Sequence, residues 1–304
     1  MAKILIIGNS SSGHAAVAAL VHKGGHEITV VSGEPFCAYR KELLLEYIAG
    51  TKKEKELFIA GDDFYRSNKI ALIQDGEVVR LDAKRRRATL KDGAKLAFDY
   101  CVIASGTKVP LPDVPGKNKD GVFSWGTLRS AQAIKQRLDI THTACLMGDP
   151  LLCKSLAGIL RAKSKEVRII ASPVPVDFAA DEFVEWIDSL TVSEIIGEGV
   201  ELRAIKLSNG KAIGTSLVVC TGPRLASTDF LKETDIALAS GFVVVDNSMR
   251  TNHERVFACG NVACFQQSPV VNKDPSVAGA EGALAVTTIL TELEGSQSLC
   301  QQKS

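Results

Sequence analysis

The chain has 304 residues, 45% of them hydrophobic, which is enough for about two domains with buried cores. Its 36 Lys and Arg residues nearly balance its 35 Asp and Glu residues, so the net charge of +1 gives no broad field to attract nucleic acid or an anionic membrane. The first apolar run is too short for a signal segment or a membrane span, which predicts a cytoplasmic protein. The eight cysteines include no C-x-x-C spacing, and we predict no metal site.

The first 31 residues predict a strand, a glycine turn, a helix and a second strand. The run KILII is apolar throughout, as in a parallel strand covered on both faces, and the turn GNSSSG follows it. Gly8 permits the tight turn, Gly13 lets the helix approach the strand, and Ser10 replaces the middle glycine of G-x-G-x-x-G with a small side chain. Because an anion can still reach the free N–H groups of the helix start, residues Gly8, Ser10, Ser12 and Gly13 predict a nucleotide phosphate site. A turn that merely consists of small residues is the alternative.

An acidic side chain normally follows the second strand of such a unit and binds ribose hydroxyls. Glu34 comes two or three positions late, and it is either that acid or an ordinary turn carboxylate. Further strands are predicted at ALIQ, GEVVRLD, RRATL and FDYCVIA. The basic run at residues 84–87 fits the solvated face of a hairpin better than a phosphate or partner-docking patch.

Five segments in one order resemble the FAD-dependent pyridine nucleotide oxidoreductase superfamily, especially its rubredoxin reductase, NADH oxidase and nitrite reductase flavoprotein branch. The segments are ILIIGNSSSG, EPFCAYRKELLLEYIAG, FDYCVIASGTKVPLPDVPG, VVCTGPR and GFVVVDNSMRTNHERVFACGNVA. The resemblance implies an α/β fold with two Rossmann-like domains, the second inserted in the first. Residues 1–113 and 241–304 would form the FAD-binding domain, and residues 114–240 a shortened NAD(P)-binding-like domain. Larger relatives continue into a C-terminal interface domain, which we expect to be absent.

The resemblance also implies which residues hold FAD. Its crossover segment near the cofactor corresponds to Ala104, Ser105 and Gly106, and the backbone position that meets the adenine corresponds to Val78. The second FAD motif corresponds to Gly260 and Asn261, where the amide replaces the family's aspartate but can still accept a hydroxyl hydrogen bond.

Two further residues are implied to lie near the flavin. Lys41 takes the family's basic position and would meet the isoalloxazine or the pyrophosphate. Glu42 stands where peroxidase-type members carry a reactive cysteine, so Cys37, five residues earlier, is either a redox thiol or a packed thiol beside the cofactor.

The second glycine loop is altered. It reads GDPLLC at residues 148–153, where Pro150 removes an N–H group, Asp149 adds a negative charge, and Cys153 adds a side chain where strand and helix should touch. The following strand ends at ASP, with neither an acid for NAD ribose nor an arginine for a 2′-phosphate. Compared with the family, residues 173–198 lack the length of a helix–strand pair. These features predict that direct NAD(P)H use is lost.

Three functions follow from these residues. The first is an FAD-binding electron-transfer flavoprotein, a subunit of a redox complex, that passes electrons between protein partners, either iron–sulfur subunits or other redox subunits. The second is an NAD(P)H-dependent flavin reductase or oxidase similar to rubredoxin and ferredoxin reductases. The third is a non-catalytic docking subunit without flavin.

Overall fold

The computed structural model describes residues 1–178, 182–265 and 272–301. Its residues form two compact units. The first unit consists of residues 1–40, residues 58–107 and the chain from residue 226 onward, and the second of residues 41–57 and 108–225. The boundaries after residues 113 and 240 between an FAD-binding and an NAD(P)-binding-like domain remain a prediction.

The helices and strands alternate along much of the chain. The helices are α1 (Ser11–Lys23), α2 (Leu44–Ala49), α3 (Asp62–Ser67), α4 (Leu128–Arg137), α5 (Pro150–Ala162) and α6 (Pro275–Gln301). The strands up to residue 124 are β1 (Lys3–Ile7), β2 (Glu27–Val31), β3 (Ala71–Ile73), β4 (Val78–Asp82), β5 (Arg87–Leu90), β6 (Lys95–Ala97), β7 (Tyr100–Ile103), β8 (Thr107–Lys108) and β9 (Val122–Ser124). The later strands are β10 (Thr143–Met147), β11 (Glu166–Ile170), β12 (Val184–Ile187), β13 (Val192–Glu198), β14 (Glu201–Leu207), β15 (Ala212–Gly214), β16 (Leu217–Cys220), β17 (Leu225–Ala226), β18 (Leu238–Ala239), β19 (Phe242–Val245), β20 (Val256–Ala258) and β21 (Ala263–Phe265).

The first unit is built on a five-stranded parallel sheet in the order β20-β7-β1-β2-β3. Side chains alternate between the two faces of each strand. In β1, Ile4 and Ile6 pack with helices α1 and α6, whereas Leu5 and Ile7 pack with the hairpin strands β4 and β5 and with β19. Since both faces are covered, the strand reads as a continuous apolar run, as the sequence predicted.

The second unit contains another five-stranded parallel sheet, in the order β12-β11-β10-β16-β9. One face packs against the antiparallel strands β13, β14 and β15, through contacts such as those among Val218, Ile195 and Ile205. Helix α5 buries Cys153, Leu156, Ala157 and Leu160. Among the described residues between β11 and β12 there is no helix. That this stretch is shorter than in the family stays a prediction.

The predicted fold class is confirmed. Both parallel sheets are α/β units of the Rossmann type, and the main segment of the second unit interrupts the chain of the first. The strands predicted in residues 71–104 are also present, and Lys84–Arg87 form the exposed end of the β4–β5 hairpin. The absence of a C-terminal interface domain stays a prediction.

Candidate functional site

The first glycine loop is shaped by close backbone contacts. Gly8 follows β1 with a φ of +110°, and a Cβ there would lie 2.2 Å from the Ala104 carbonyl oxygen. A Cβ on Gly13 would lie 2.0 Å from the Gly8 carbonyl oxygen. No other residue type fits either position without moving the backbone, so the two outer glycines of GNSSSG are required by the fold.

The start of helix α1 is open to an anion. Ser10 is the N-cap residue, and within the described chain no side chain caps this helix end. The first turn contains no acidic residue. Because the first N–H groups of a helix have no intrahelical acceptor and lie at the positive end of its dipole, this end of α1 can accept a phosphate group.

The crossover segment predicted to pass near the cofactor lies against this loop. The Ala104 N–H donates to the carbonyl of Ile7, the last residue of β1, over 2.8 Å. The Ser105 hydroxyl donates to the Ser227 carbonyl over 2.8 Å, and the Ser227 N–H donates to the Gly106 carbonyl over 2.9 Å. Residues 104–106 are thus held at the same sheet edge as the loop.

The second FAD motif also meets the loop. A Cβ on Gly260 would lie 2.4 Å from the Ser12 hydroxyl oxygen, so Ser12 packs directly against Gly260. The Asn261 side-chain oxygen accepts a hydrogen bond from the Lys273 N–H at 2.7 Å. Since a carbonyl oxygen has two lone pairs, one remains for the predicted hydroxyl hydrogen bond.

A buried ion pair that no sequence motif predicts lies behind Gly260. The Lys273 ammonium group contacts the Glu281 carboxylate at 2.8 and 3.0 Å, with side chains only 4% and 9% exposed. The same ammonium group donates to the Ala263 carbonyl, and Glu281 accepts the Gly260 N–H at 2.7 Å. Nothing in the local sequence pattern indicates that these two charged residues are buried together.

Glu34 lies three residues after β2, at the carboxyl edge of the sheet. The Tyr39 hydroxyl donates to its carboxylate oxygens at 2.8 and 3.0 Å. A carboxylate has about four acceptor sites, so the Tyr39 hydroxyl does not use all those of Glu34. Val78 is the buried first residue of β4 and pairs with Leu90.

The two residues predicted near the flavin ring differ in their surroundings. The Cys37 thiol is buried and donates to the Asp62 carboxylate at 3.0 Å. Burial, with the Asp62 contact adding to it, raises the pKa of Cys37 to about 12, so the thiol is protonated at neutral pH and is not a nucleophile. Lys41 belongs to the second unit, and its place beside the flavin remains a prediction.

The second glycine loop keeps one glycine for a steric reason. Gly148 follows β10 with a φ of +119°, and a Cβ there would lie 2.5 Å from the Gly222 nitrogen. Cys153 is buried, with its sulfur 3.2 Å from the Thr221 hydroxyl, and burial raises its pKa to about 11. The side chain predicted to disturb the helix–strand contact is therefore accommodated as part of the core.

The start of helix α5, unlike that of α1, is capped by its own chain. The Asp149 carboxylate accepts the Leu152 N–H at 2.8 Å, and Pro150 at the first helical position has no N–H to offer. The Asp149 N–H donates to the Thr221 hydroxyl at 2.9 Å. A nucleotide pyrophosphate at this helix end would have to replace these contacts. An Asp-Pro pair before a helix is itself an N-cap signal that could have predicted this arrangement.

A carboxylate does lie near the end of β11, where the sequence predicted none. It comes from Asp188, the residue after β12, and accepts a hydrogen bond from the Ser172 hydroxyl. The local sequence after β11 could not reveal it, because Asp188 is 16 residues away from Ser172 along the chain.

Two kinds of feature are absent from the described parts of the chain. None of the helices there is long and apolar enough to cross a membrane. Nor do those residues include a group of three or more His, Cys, Asp or Glu side chains placed to hold a metal ion.

Two parallel sheets, each with a glycine turn between a strand and the helix that follows it (β1 and α1, β10 and α5), define a protein with two dinucleotide-binding folds. A family model for pyridine nucleotide-disulphide oxidoreductases matches residues 2–283, and the chain belongs to this family. The family consists of FAD-dependent oxidoreductases that use NAD(P)H.

Similar proteins fall in the same family. The chain is 28% identical over 288 residues to the NADH-rubredoxin oxidoreductase of Clostridium acetobutylicum, covering 91% of this chain and 73% of that protein. It is 25% identical over 305 residues to the epsilon subunit of the NADH-dependent phenylglyoxylate dehydrogenase of Aromatoleum evansii, covering 93% and 72%. A ferredoxin reductase from Rhodopseudomonas palustris superposes with a TM-score of 0.83 at 20% identity, covering 95% and 76%, and this likeness concerns the fold.

Proposed function

We propose that this protein is an FAD-dependent oxidoreductase that accepts two electrons as a hydride from NAD(P)H and delivers them singly to an iron–sulfur protein partner. The observation that carries the proposal is that the first N–H groups of helix α1 have no side-chain cap. Gly8 and Gly260 allow close packing against Ala104 and Ser12 around this helix start. Similarity to the NADH-rubredoxin oxidoreductase supports both the donor and the kind of acceptor.

The residues around α1 fit FAD. The N–H groups at the start of the helix would hold the pyrophosphate, and the Glu34 carboxylate would accept hydrogen bonds from the adenosine ribose. The backbone of Val78 would meet the adenine, and Asn261 the ribityl chain. When bound, FAD supplies the conversion between two-electron and one-electron transfer.

The chain's own side chains position the cofactor and do not react with it. Cys37 is held protonated, and no step requires a thiolate. Glu281 fixes the Gly260 N–H, and with it the turn that leads into Asn261. The protein therefore binds and orients the flavin and leaves the redox chemistry to it.

The electron-transfer flavoprotein that does not use NAD(P)H is a second candidate, favoured by one observation. Asp149 occupies the start of α5, where a dinucleotide pyrophosphate would bind. In that case both electron donor and acceptor would be protein partners.

The third reading, a docking subunit without flavin, is less well supported. In the described chain the start of α1 has no side-chain cap, so its N–H groups can bind the pyrophosphate of FAD.

Absorption spectroscopy of the purified protein separates the three functions. We expect a flavin spectrum, bleaching of the visible band on anaerobic addition of NADH or NADPH, and recovery of the band when an oxidised rubredoxin or ferredoxin is added. A flavin spectrum that neither nucleotide changes, but that a reduced iron–sulfur protein does change, would contradict the proposal and support the second candidate. A colourless protein that takes up no FAD on reconstitution would support the docking subunit.

A further inference from the structure

The end of strand β11 is the place that decides which dinucleotide a Rossmann-type unit accepts. An acid there binds the ribose hydroxyls of NAD, whereas an arginine nearby receives the 2′-phosphate of NADP. After β11 this chain continues with Ala171, Ser172 and Pro173, none of which can do either.

The neighbouring strand supplies the missing acid. Strands β11 and β12 are parallel partners in which Ile170 lies opposite Ile187, so both strands end at the same edge of the sheet. Asp188 is the next residue after β12, and the Ser172 hydroxyl donates to its carboxylate.

Two further hydrogen bonds fix the chain around this carboxylate. The Ser189 N–H donates to the Ser172 hydroxyl oxygen at 3.0 Å. The Trp186 indole N–H donates to the Ala171 carbonyl at 2.6 Å. Asp188 is therefore held next to the residues that follow β11.

The charge at this position is negative. The Ser172 hydrogen bond lowers the pKa of Asp188, so its carboxylate is ionised at neutral pH. The side chain is exposed. The Ser172 hydroxyl donates to one carboxylate oxygen and the Ser189 hydroxyl to the other at 3.2 Å, and because a carboxylate has about four acceptor sites, Asp188 can accept further hydrogen bonds. Residues 171–190 contain no Lys or Arg that could neutralise a 2′-phosphate.

We propose that Asp188, positioned by Ser172, hydrogen-bonds the adenosine ribose of the dinucleotide and makes the protein select NADH over NADPH. This inference rests on the proposed function, because it requires that the second unit binds a nicotinamide dinucleotide. A ribose diol donates to the carboxylate, whereas a 2′-phosphate removes one of the donors and brings two negative charges towards Asp188.

The test is nucleotide binding and flavin reduction by the FAD-loaded protein and two variants. Calorimetry with NAD⁺ and NADP⁺ reports affinity without turnover, and anaerobic stopped-flow reduction reports use of NADH and NADPH. For Asp188→Ala we expect a loss of about tenfold or more in NAD⁺ affinity, as for removal of a charge-assisted hydrogen bond, with unchanged or improved NADP⁺ affinity.

Glu198→Gln is the matched control. It also removes an exposed carboxylate from the second unit, but at the end of the antiparallel strand β13, and it should leave both affinities unchanged. Far-ultraviolet circular dichroism and the melting temperature of each variant establish that it is folded.

The outcomes separate this inference from the proposed function. If NADH and NADPH both reduce the wild-type flavin equally well, or if Asp188→Ala leaves the NAD⁺ to NADP⁺ affinity ratio unchanged, the assignment of Asp188 is overturned while the proposed function stands. If neither nucleotide binds or reduces the wild-type protein, the proposed function and the inference are both overturned.

Discussion

Lys273 and Glu281 combine a desolvated ion pair with hydrogen bonds to the backbone around it. Removing two charges from water costs several kcal/mol per ion, and the pair is tolerated only where good geometry and further hydrogen bonds offset that cost. Here the Gly260 N–H and the Ala263 carbonyl supply those bonds. The pair therefore links helix α6 and the chain before it to the second FAD motif.

The pair predicts a difference between single and double substitutions. Lys273→Met alone should lower the free energy of unfolding by about 3–5 kcal/mol, because it leaves Glu281 buried without its partner. The double variant Lys273→Met, Glu281→Leu should recover only part of this stability, because the buried Gly260 N–H is left without an acceptor at a cost of about 1–3 kcal/mol, and for the same reason it should bind FAD more weakly. Urea unfolding of the apoprotein and flavin fluorescence titration measure the two quantities. A double variant with wild-type FAD affinity would show that the pair does not position the motif.

Cys37 predicts how the protein responds to a thiol reagent and to alkaline pH. Because burial and Asp62 raise its pKa to about 12, alkylation of Cys37 in the native protein should be very slow at pH 8, measured by mass spectrometry of its peptide. An unfolded chain ionises this thiol from about pH 8.5. Its contribution to stability is therefore complete below that pH and is lost as the pH rises towards 12.

The substitution Cys37→Ser tests the same point without a reagent. It should leave flavin reduction and reoxidation rates unchanged, since the protonated thiol takes no part in them. A long-wavelength charge-transfer band in the reduced wild-type protein, absent from the variant, would mean that Cys37 forms a thiolate beside the flavin.

At the scale of elements, helices α1 and α5 follow the same strand–turn pattern but differ in their first turns. Ser10 makes no capping bond to α1, whereas Asp149 caps α5 with its carboxylate. Arg224 is half-buried near Asp149, and burial lowers its pKa while the Asp149 carboxylate opposes that shift. The negative charge of Asp149 at the start of α5 thus attracts the Arg224 guanidinium.

Asp149→Asn should remove the negative charge at the start of α5 and keep the helix capped. Asparagine caps helices as well as aspartate does, so the free energy of unfolding should change by less than about 0.5 kcal/mol. Loss of the negative charge at a dipole-favoured anion site should raise NAD⁺ affinity several-fold, measured by calorimetry.

Asp149→Ala should instead lower stability by about 1 kcal/mol, and Ser10→Ala in α1, where no cap bond exists, should lower it much less. Weaker NAD⁺ binding by Asp149→Asn would mean that Asp149 assists the nucleotide.

The sequence predicted elements better than contacts between distant elements. The apolar strands and the glycine turns follow from local sequence patterns. The insertion of the second sheet's segment into the chain of the first follows from the resemblance. The Asp188 carboxylate beside Ser172 and the Lys273–Glu281 pair could not be predicted, because each joins side chains from different elements through tertiary packing. The capping role of Asp149, by contrast, follows from local sequence, because an Asp-Pro pair before a helix is an N-cap signal.

For the whole molecule, the two proposed nucleotide sites lie in different units, so we expect FAD binding and nicotinamide nucleotide binding to be lost separately. Gly8→Ala places a Cβ against the Ala104 carbonyl and should destabilise the first unit by more than about 1 kcal/mol and abolish FAD binding. Gly148→Ala meets the Gly222 backbone and should weaken nicotinamide nucleotide binding while the protein still purifies with FAD. Absorption spectra and calorimetry measure the two losses. A Gly148→Ala protein that lacks FAD would show that the two sites do not act independently.

The parallel sheet of the first unit is completed late in the chain. Strand β7 ends at Ile103, while its partner β20 begins at Val256, and α6 follows still later. At a synthesis rate of about 5–20 residues per second, the ribosome takes about 8–30 s to make the intervening stretch. During that time one edge of β7 has no partner strand, and the motif containing Gly260 does not yet exist. We therefore expect the proposed FAD site to form only after the segment that contains β20 and Gly260 has been synthesised.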